Sequence, residues 1–335
     1  MRANNSWLWP VSILVLLFLF LLSILVGTVA IPPREIFQVL SGGEAERLYH
    51  AIIVESRIPR AVTGLLAGAG LSLAGLLMQT LFRNPLAGPS VMGLTSGASL
   101  AVAILTLGSA AIMMSPYSVV VAAIVGSTSV LIVILIVARK FADIATVLIV
   151  GLMLSFFTSA IVGFLQSISS ETALKNFVFW GFGSFANVST ERLPIFVIPV
   201  VLVVAFSPAL IKSLNALLPG ELHARAMGIQ VPRLRFWIML ATGILTGVIT
   251  AFCGPVAFIG LAAPHLARLV FRSVDHRLIL PGSLILGGAL GLACDIISRL
   301  PGLPGALPLN TVCAFMGAPV VVYLIFAGRK RKLLL

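Results

Sequence analysis

Charge is what this chain has least of. Only 10% of its 335 residues are Asp, Glu, Lys or Arg, whereas a water-soluble domain carries about 25%. Acid is scarcer still, with 10 Asp and Glu against 22 Lys and Arg. With 59% of residues hydrophobic, too little polar surface exists to cover a soluble fold, and the class that remains is an integral membrane protein. The net charge of +12 does not point to nucleic acid, because membrane proteins gather Lys and Arg in the loops on one side. Cysteine is sparse as well. Cys253, Cys294 and Cys313 all fall inside apolar runs without metal-ligand spacing and read as small buried hydrophobes.

Catalytic patterns are missing too. No Lys follows a Gly anywhere, so there is no G-x-x-x-x-G-K-[ST] loop, and any phosphate-cradling chemistry must come from another polypeptide. His50, His223, His265 and His276 are scattered without an H-E-x-x-H, and there is no G-x-S-x-G. The chain reads as a non-enzyme that holds neither metal nor cofactor of its own.

What is present is apolar sequence in long runs. A spanning helix needs about 20 such residues, and runs near that length lie at 10–30, 60–82, 91–108, 118–138, 144–166, 193–211, 234–252, 256–271, 278–298 and 310–327. The expectation is an all-α, multi-pass membrane domain of ten transmembrane helices over residues 1–335, with the third and eighth runs short and broken by Gly or Pro. The first run is kept as a span, because a cleaved signal peptide has a shorter core and a more basic start. Ten spans put both termini on one side. With the loops near 83–90, 139–143, 212–233 and 272–277, and with Arg235 and Arg268 placed there near helix ends, that side collects fifteen of the 22 Lys and Arg, which makes it cytoplasmic. The basic tail 328–335, GRKRKLLL, is its strongest anchor.

One polar segment interrupts the oil: GELHARAMGIQVPRLR at 220–235. Glu221 to Gly228 makes about two helical turns, Gly228 suits a left-handed cap, and Leu222, Ala226 and Ile229 share one face. It reads either as a solvated loop helix or as a docking helix whose charged face meets a soluble partner. Glycine pairs four apart, Gly64 with Gly68 and Gly243 with Gly247, suit close packing of helices inside the bundle. FRNPLAGPSVMG (82–93) and FCGPVAFIGLAAPH (252–265) break helices at membrane depth, which is tolerated only inside protein or beside a wet cavity. Asp295 is the clear acid within a run. Four residues before Arg299, it suits a local ion pair better than a proton relay, and this argues against an ion-coupled secondary transporter.

The segment 57–100, RIPRAVTGLLAGAGLSLAGLLMQTLFRNPLAGPSVMGLTSGASL, resembles the signature block of the iron-complex and vitamin B12 permeases of bacterial ABC importers, the FecCD type. GELHARAMGI (220–229), GPVAFIGLAAPHLARL (254–269), DHRLILPGSLILGGALGLACDIISR (275–299) and ALPLNTVCAFMGAPVVVYL (306–324) continue the resemblance in order over nearly the whole chain. It implies a ten-helix permease of the bacterial inner membrane that works as a homodimer, or sometimes a heterodimer. Two cytoplasmic ATPase subunits, which bind the ATP and Mg2+, lie below it, and a periplasmic or lipid-anchored binding protein delivers substrate from above. The resemblance makes residues 219–229 the cytoplasmic coupling helix, with Glu221, Ala224, Arg225 and Gly228 at its pattern positions. It gives Arg57, Arg60 and Arg299 to binding-protein docking. Asn84 and Leu86 become a constriction, and Ile144 and Ala145 a cytoplasmic gate, although FADIAT departs from the hydroxyl-rich form. Ser155, Thr158 and Ser159 face the pathway. The expected cargo is an iron chelate, ferric siderophore or haem, with cobalamin as the alternative.

Overall fold

The computed structural model describes residues 7–27, 29–43, 46–108, 116–141, 143–300 and 307–330. Arg2 and the tail beyond Lys330 lie outside them. Among the described residues every regular element is helical. The chain runs through α1 (Leu8–Leu25), α2 (Pro33–Leu40), α3 (Arg47–Ala51), a π-helical turn (Ile52–Arg57) and α4 (Ile58–Leu81), and then α5 (Leu94–Leu107), α6 (Pro116–Lys140), α7 (Ile144–Ile168) and α8 (Glu171–Gly181). The second half contains α9 (Leu193–Phe206), α10 (Ile211–Leu217), α11 (Glu221–Ala226), α12 (Val231–Cys253), α13 (Ile259–Phe271), α14 (His276–Ser298) and α15 (Leu309–Lys330).

Seven helical stretches are long and apolar enough to cross a membrane, and Leu94–Leu107, Ile259–Phe271 and Leu309–Val322 are shorter apolar helices. The shortness expected of the third and eighth runs is thus found in α5 and α13. Two boundaries differ from expectation. The second long stretch begins at Arg47, because α3 and the π turn lead straight into α4, and α9 continues through a 3-10 turn into α10 as far as Leu217. The polar loop before α11 is correspondingly shorter.

Glycine sorts the helices into interior and exterior. α4, α12 and α14 are mostly buried, whereas α1, α6, α7 and α9 turn most of their surface outward. At the crossing of α4 and α14, a Cβ on Gly68 would lie 2.2 Å from the Gly287 carbonyl oxygen, and one on Gly291 would lie 2.5 Å from that of Gly64. Neighbouring backbones therefore touch, which is how apolar helices associate where lipid removes any hydrophobic drive. Gly243 and Gly247 make the same allowance for Leu131 and Ser127 of α6. The expectation of internal packing holds at these glycines.

Candidate functional site

At one end of the bundle, α11 is built as a protruding cap. Gly220 enters it with φ +129° and Gly228 leaves it with φ +79°. Behind Gly228, the N–H of Ile229 donates to Ala224 O at 3.0 Å and that of Gly228 to Arg225 O at 2.9 Å. This is the paired closure in which a left-handed glycine satisfies the last carbonyls of a helix. The faces differ from expectation. Ala224 is fully buried against the bundle, not held out for a partner, while Leu222 is 85% and Met227 61% exposed. The outward face is therefore apolar at its centre. Glu221 turns inward, its Oε1 paired with the buried Arg235 of α12 and its Oε2 lying 3.9 Å from Arg225. Much of the charge in this segment fastens α11 to its own chain.

Two polar chains join the helix ends on this side, one through α10, α14 and α4 and one through α4, α13 and the break after α4. In the first, Asn215 Nδ2 donates to Asp275 Oδ1 at 2.6 Å, so its Oδ1 is the acceptor facing His276 Nδ1 at 2.8 Å. The Nε2 of the same ring faces Thr80 Oγ1 at 2.9 Å, and that hydroxyl also lies 2.9 Å from Leu76 O. The Arg277 backbone N–H, aided by the Asn215 amide, holds the Asp275 carboxyl below its usual range. In the second chain, His265 Nε2 donates to Pro85 O at 2.8 Å, and Arg268 Nη1 donates to Gln79 Oε1 at 2.7 Å. Gln79 Nε2 in turn reaches Leu261 O at 3.3 Å. The irregular 82–88 segment is thereby tied to α13. The sequence alone assigns no role to His265, His276, Gln79 or Asn215, and gives Arg268 only a place near a helix end on the basic side. The only signal was polar residues at the ends of apolar runs.

The opposite end holds a buried charge cluster. Asp295, fully buried, is paired with Arg60 at 2.8 Å and with Arg299 at 2.9 Å. This is the local pairing expected of it, extended by a second arginine. Arg57 and Arg299 are each only 3% exposed, which corrects their placement at an outer rim. Arg57 Nη1 donates to Ile24 O and Leu25 O, both at 2.8 Å, and Arg299 donates to Ser23 O at 2.6 Å and Val26 O at 2.9 Å. Their acceptors are the carbonyls that the last turn of α1 leaves unpaired. Both guanidinia thus cap α1 and turn no face to a docking protein in this conformation. Arg60 alone of the three keeps partial exposure.

The remaining residues are spread along the bundle. Asn84 and Leu86 lie in the break after α4, where Asn84 Oδ1 accepts from the Leu86 N–H at 2.9 Å and Leu86 is 47% exposed. Ile144 opens α7 beside the exposed Ala145. The acid in FADIAT proves to be a helix cap: Asp143 accepts from the N–H groups of Ala145 and Thr146 at 3.2 and 3.1 Å and from the Thr146 hydroxyl at 2.9 Å. The Thr146 hydroxyl is the leading cause of its lowered pKa, with the two N–H groups adding to it. On α7, Ser159 is exposed, but Thr158 is buried and bonds back to Leu154 O at 2.8 Å. Ser155 bonds back to Gly151 O at 3.0 Å. Thr158 therefore points into the bundle and not along an open pathway, and its hydroxyl is satisfied within its own helix. The second break, 254–258, is held by Ala257 N–H donating to Asn310 Oδ1 at 3.0 Å and Ser184 N–H to Cys253 O at 2.8 Å, as irregular backbone inside a membrane protein requires.

Comparison with known proteins agrees with this architecture from end to end. The model of the FecCD transport family matches residues 15–327. A vitamin B12 import system permease protein of Klebsiella pneumoniae is 32% identical over 333 residues, covering 98% of this chain and 96% of that protein. Its Escherichia coli counterpart is 33% identical over 332 residues, covering 98% and 97%. A solved structure described as an inward-facing conformation of an ABC transporter, provisionally assigned to the metal-chelate type, superposes with a TM-score of 0.85 at 28% identity, covering 96% of this chain and 99% of that one.

Proposed function

This chain belongs to the FecCD transport family, and on that premise we propose that it is the transmembrane permease subunit of an ATP-driven importer for a large metal chelate, cobalamin ahead of ferric siderophore or haem. Family breadth alone put iron chelates first. The relatives matched over 98% of the chain are named for vitamin B12, and among the described residues no group of three or more His, Cys, Asp or Glu is placed to hold a metal ion. A chelate would be carried whole. The iron reading remains second because the superposed transporter is assigned to the metal-chelate type. The observation that carries the importer reading is the unbroken match over 15–327.

In this reading the seven long helices and α5, α13 and α15 make ten crossings of the bacterial inner membrane, with both termini and α11 on the cytoplasmic side. A second copy packs alongside. The exposed Phe156, Phe157 and Phe164 of α7 support that, with the pathway between the copies near Ser159, Leu86 and Asn84 and a gate at Ile144 and Ala145. A periplasmic or lipid-anchored binding protein docks at the opposite end, where Arg60, unlike Arg57 and Arg299, keeps partial exposure. Two ATPase subunits bind the ATP and Mg2+, and this chain catalyses nothing by itself.

The test is uptake into proteoliposomes holding the chain and its ATPase, with binding protein loaded in turn with cobalamin, ferric siderophore and haem. ATP-dependent entry of cobalamin is the expected result. Entry of an iron chelate alone reverses the substrate order, and uptake driven by a proton gradient without the ATPase removes the importer reading. The coupling role of α11 has its own test. Leu222→Asp, at a residue 85% exposed, leaves the thermal unfolding of the chain within about 0.5 kcal/mol of the parent. It weakens ATPase assembly by about 2 kcal/mol or more, roughly thirtyfold. Co-purification of a full complement of ATPase with this variant would place the contact elsewhere.

A further inference from the structure

Between the ends of α4, α13 and α14 lies a cavity of about 140 Å³, walled by Gln79, Thr80, Arg83, Leu218, Arg268 and His276 among others. We propose that it binds a phosphate group, held between Arg268 and Arg83. Binding itself does not depend on the function proposed above.

The argument is one of uncompensated charge. Arg268 sits partly buried on α13 with a neutral Gln79 on Nη1 and the accepting His265 nitrogen 3.4 Å away. Among the described residues no Asp or Glu pairs with Arg268 or with Arg83. The nearby acid, Asp275, already accepts from Asn215 at 2.6 Å and from the Arg277 N–H at 2.9 Å. A cation drawn from water without a counter-ion is costly, and that cation is Arg268; Arg83, exposed at the rim, lines the same cavity. The neutral walls offer no relief. Thr80 and His276 bond to each other, and Gln79 Nε2 is directed to Leu261 O. An anion of at least one full charge resolves this, and the planar fork of Arg fits the paired oxygens of a phosphate group.

Position gives the site a consequence. Arg83 lies at the end of α4, and a Cβ on Gly220 would come within 3.4 Å of its Nη1. A phosphate bridging Arg268 and Arg83 therefore ties α13 and α4 to the turn that enters α11. In the importer, that bridge would stiffen the element that receives motion from the ATPase. Two sources share the chemistry: inorganic phosphate from solution and the headgroup of an anionic phospholipid.

The experiment follows thermal unfolding of the purified full chain. One arm, in neutral detergent, titrates inorganic phosphate against sodium chloride of equal ionic strength. The other compares nanodiscs of phosphatidylcholine with and without phosphatidylglycerol. Saturable stabilisation is expected in at least one arm, and the responding arm identifies the source. Arg83→Gln changes an exposed rim residue that pairs with no acid among the described residues, so it leaves the anion-free unfolding temperature unchanged. It weakens the response about tenfold, the value of one hydrogen bond to a charged group. Arg268→Lys, which keeps the charge but loses the fork, weakens it as well. Equal stabilisation by chloride, no stabilisation in either arm, or an undiminished response in Arg83→Gln overturns the proposal.

Discussion

Asp295→Asn is expected to destabilise the chain by about 3–5 kcal/mol, the cost of leaving a buried charge without its partner. The carboxylate is fully buried and faces Arg60 at 2.8 Å and Arg299 at 2.9 Å. Asparagine has nearly the same shape, so the loss measures charge and not volume. Arg299 cannot escape to water, because its guanidinium is bonded to the carbonyls of Ser23 and Val26. The cation stays in place and its compensation is gone. A second substitution separates this account from simple damage to packing. Arg299→Met in the Asp295→Asn background removes the stranded charge, so the double variant loses less than the two single losses combined. Thermal unfolding of the four proteins in one detergent gives the result. A parent chain that transports under a proton gradient, with an equally stable Asp295→Asn chain that does not, would make Asp295 a relay and return the chain to the ion-coupled transporters.

Much of this was legible in the sequence, for reasons that lie in particular residues. The membrane class follows from the scarcity of charge. α11 was visible because Gly220 and Gly228 bracket a polar run, and a left-handed cap is one of the few backbone features that residue type alone announces. The interior helices were partly visible: α4 carries Gly64, Gly68, Gly70 and Gly75, whereas α1 has no glycine at all. Long-range pairing stayed hidden. Arg57 and Arg299 look like interfacial arginines, and only the fold shows that they cap the end of α1, the latter from more than 270 residues away. In the same way nothing local told which neighbour Glu221 would choose. Arg225 stands at the favoured helical spacing, yet the closer partner is Arg235 on α12. The polar chains through His265 and His276 were hidden for the same reason, since Pro85 reaches His265 from the break after α4 and Asn215 reaches His276 from α10. The order of cargoes was not legible either, because no residue of this chain is set aside as a ligand.

Gly75→Ala is expected to destabilise the chain by about 3 kcal/mol or more, at or beyond the upper end for an added methyl group. A Cβ at Gly75 would lie 1.7 Å from the Gly260 carbonyl oxygen and 2.5 Å from its carbon. These are backbone atoms, so no side-chain rotation makes room, and α13 must move away from α4. That movement strains the bonds between them: Gln79 is held to Leu261 O at 3.3 Å and to Arg268 at 2.7 Å, and His265 to Pro85 O at 2.8 Å. The damage therefore reaches the break at 82–88 as well as the contact itself. Gly163→Ala is the control. Gly163 also lies within a helix, but a Cβ there meets nothing within 4 Å, so helix propensity alone acts and stabilises by up to ~1 kcal/mol. The opposite signs of two chemically identical substitutions isolate helix proximity from glycine flexibility. Equal unfolding temperatures for the two variants would mean that α4 and α13 do not touch along Gly75, and with that contact would go the geometric basis for a transport break held rigid by neighbouring backbone.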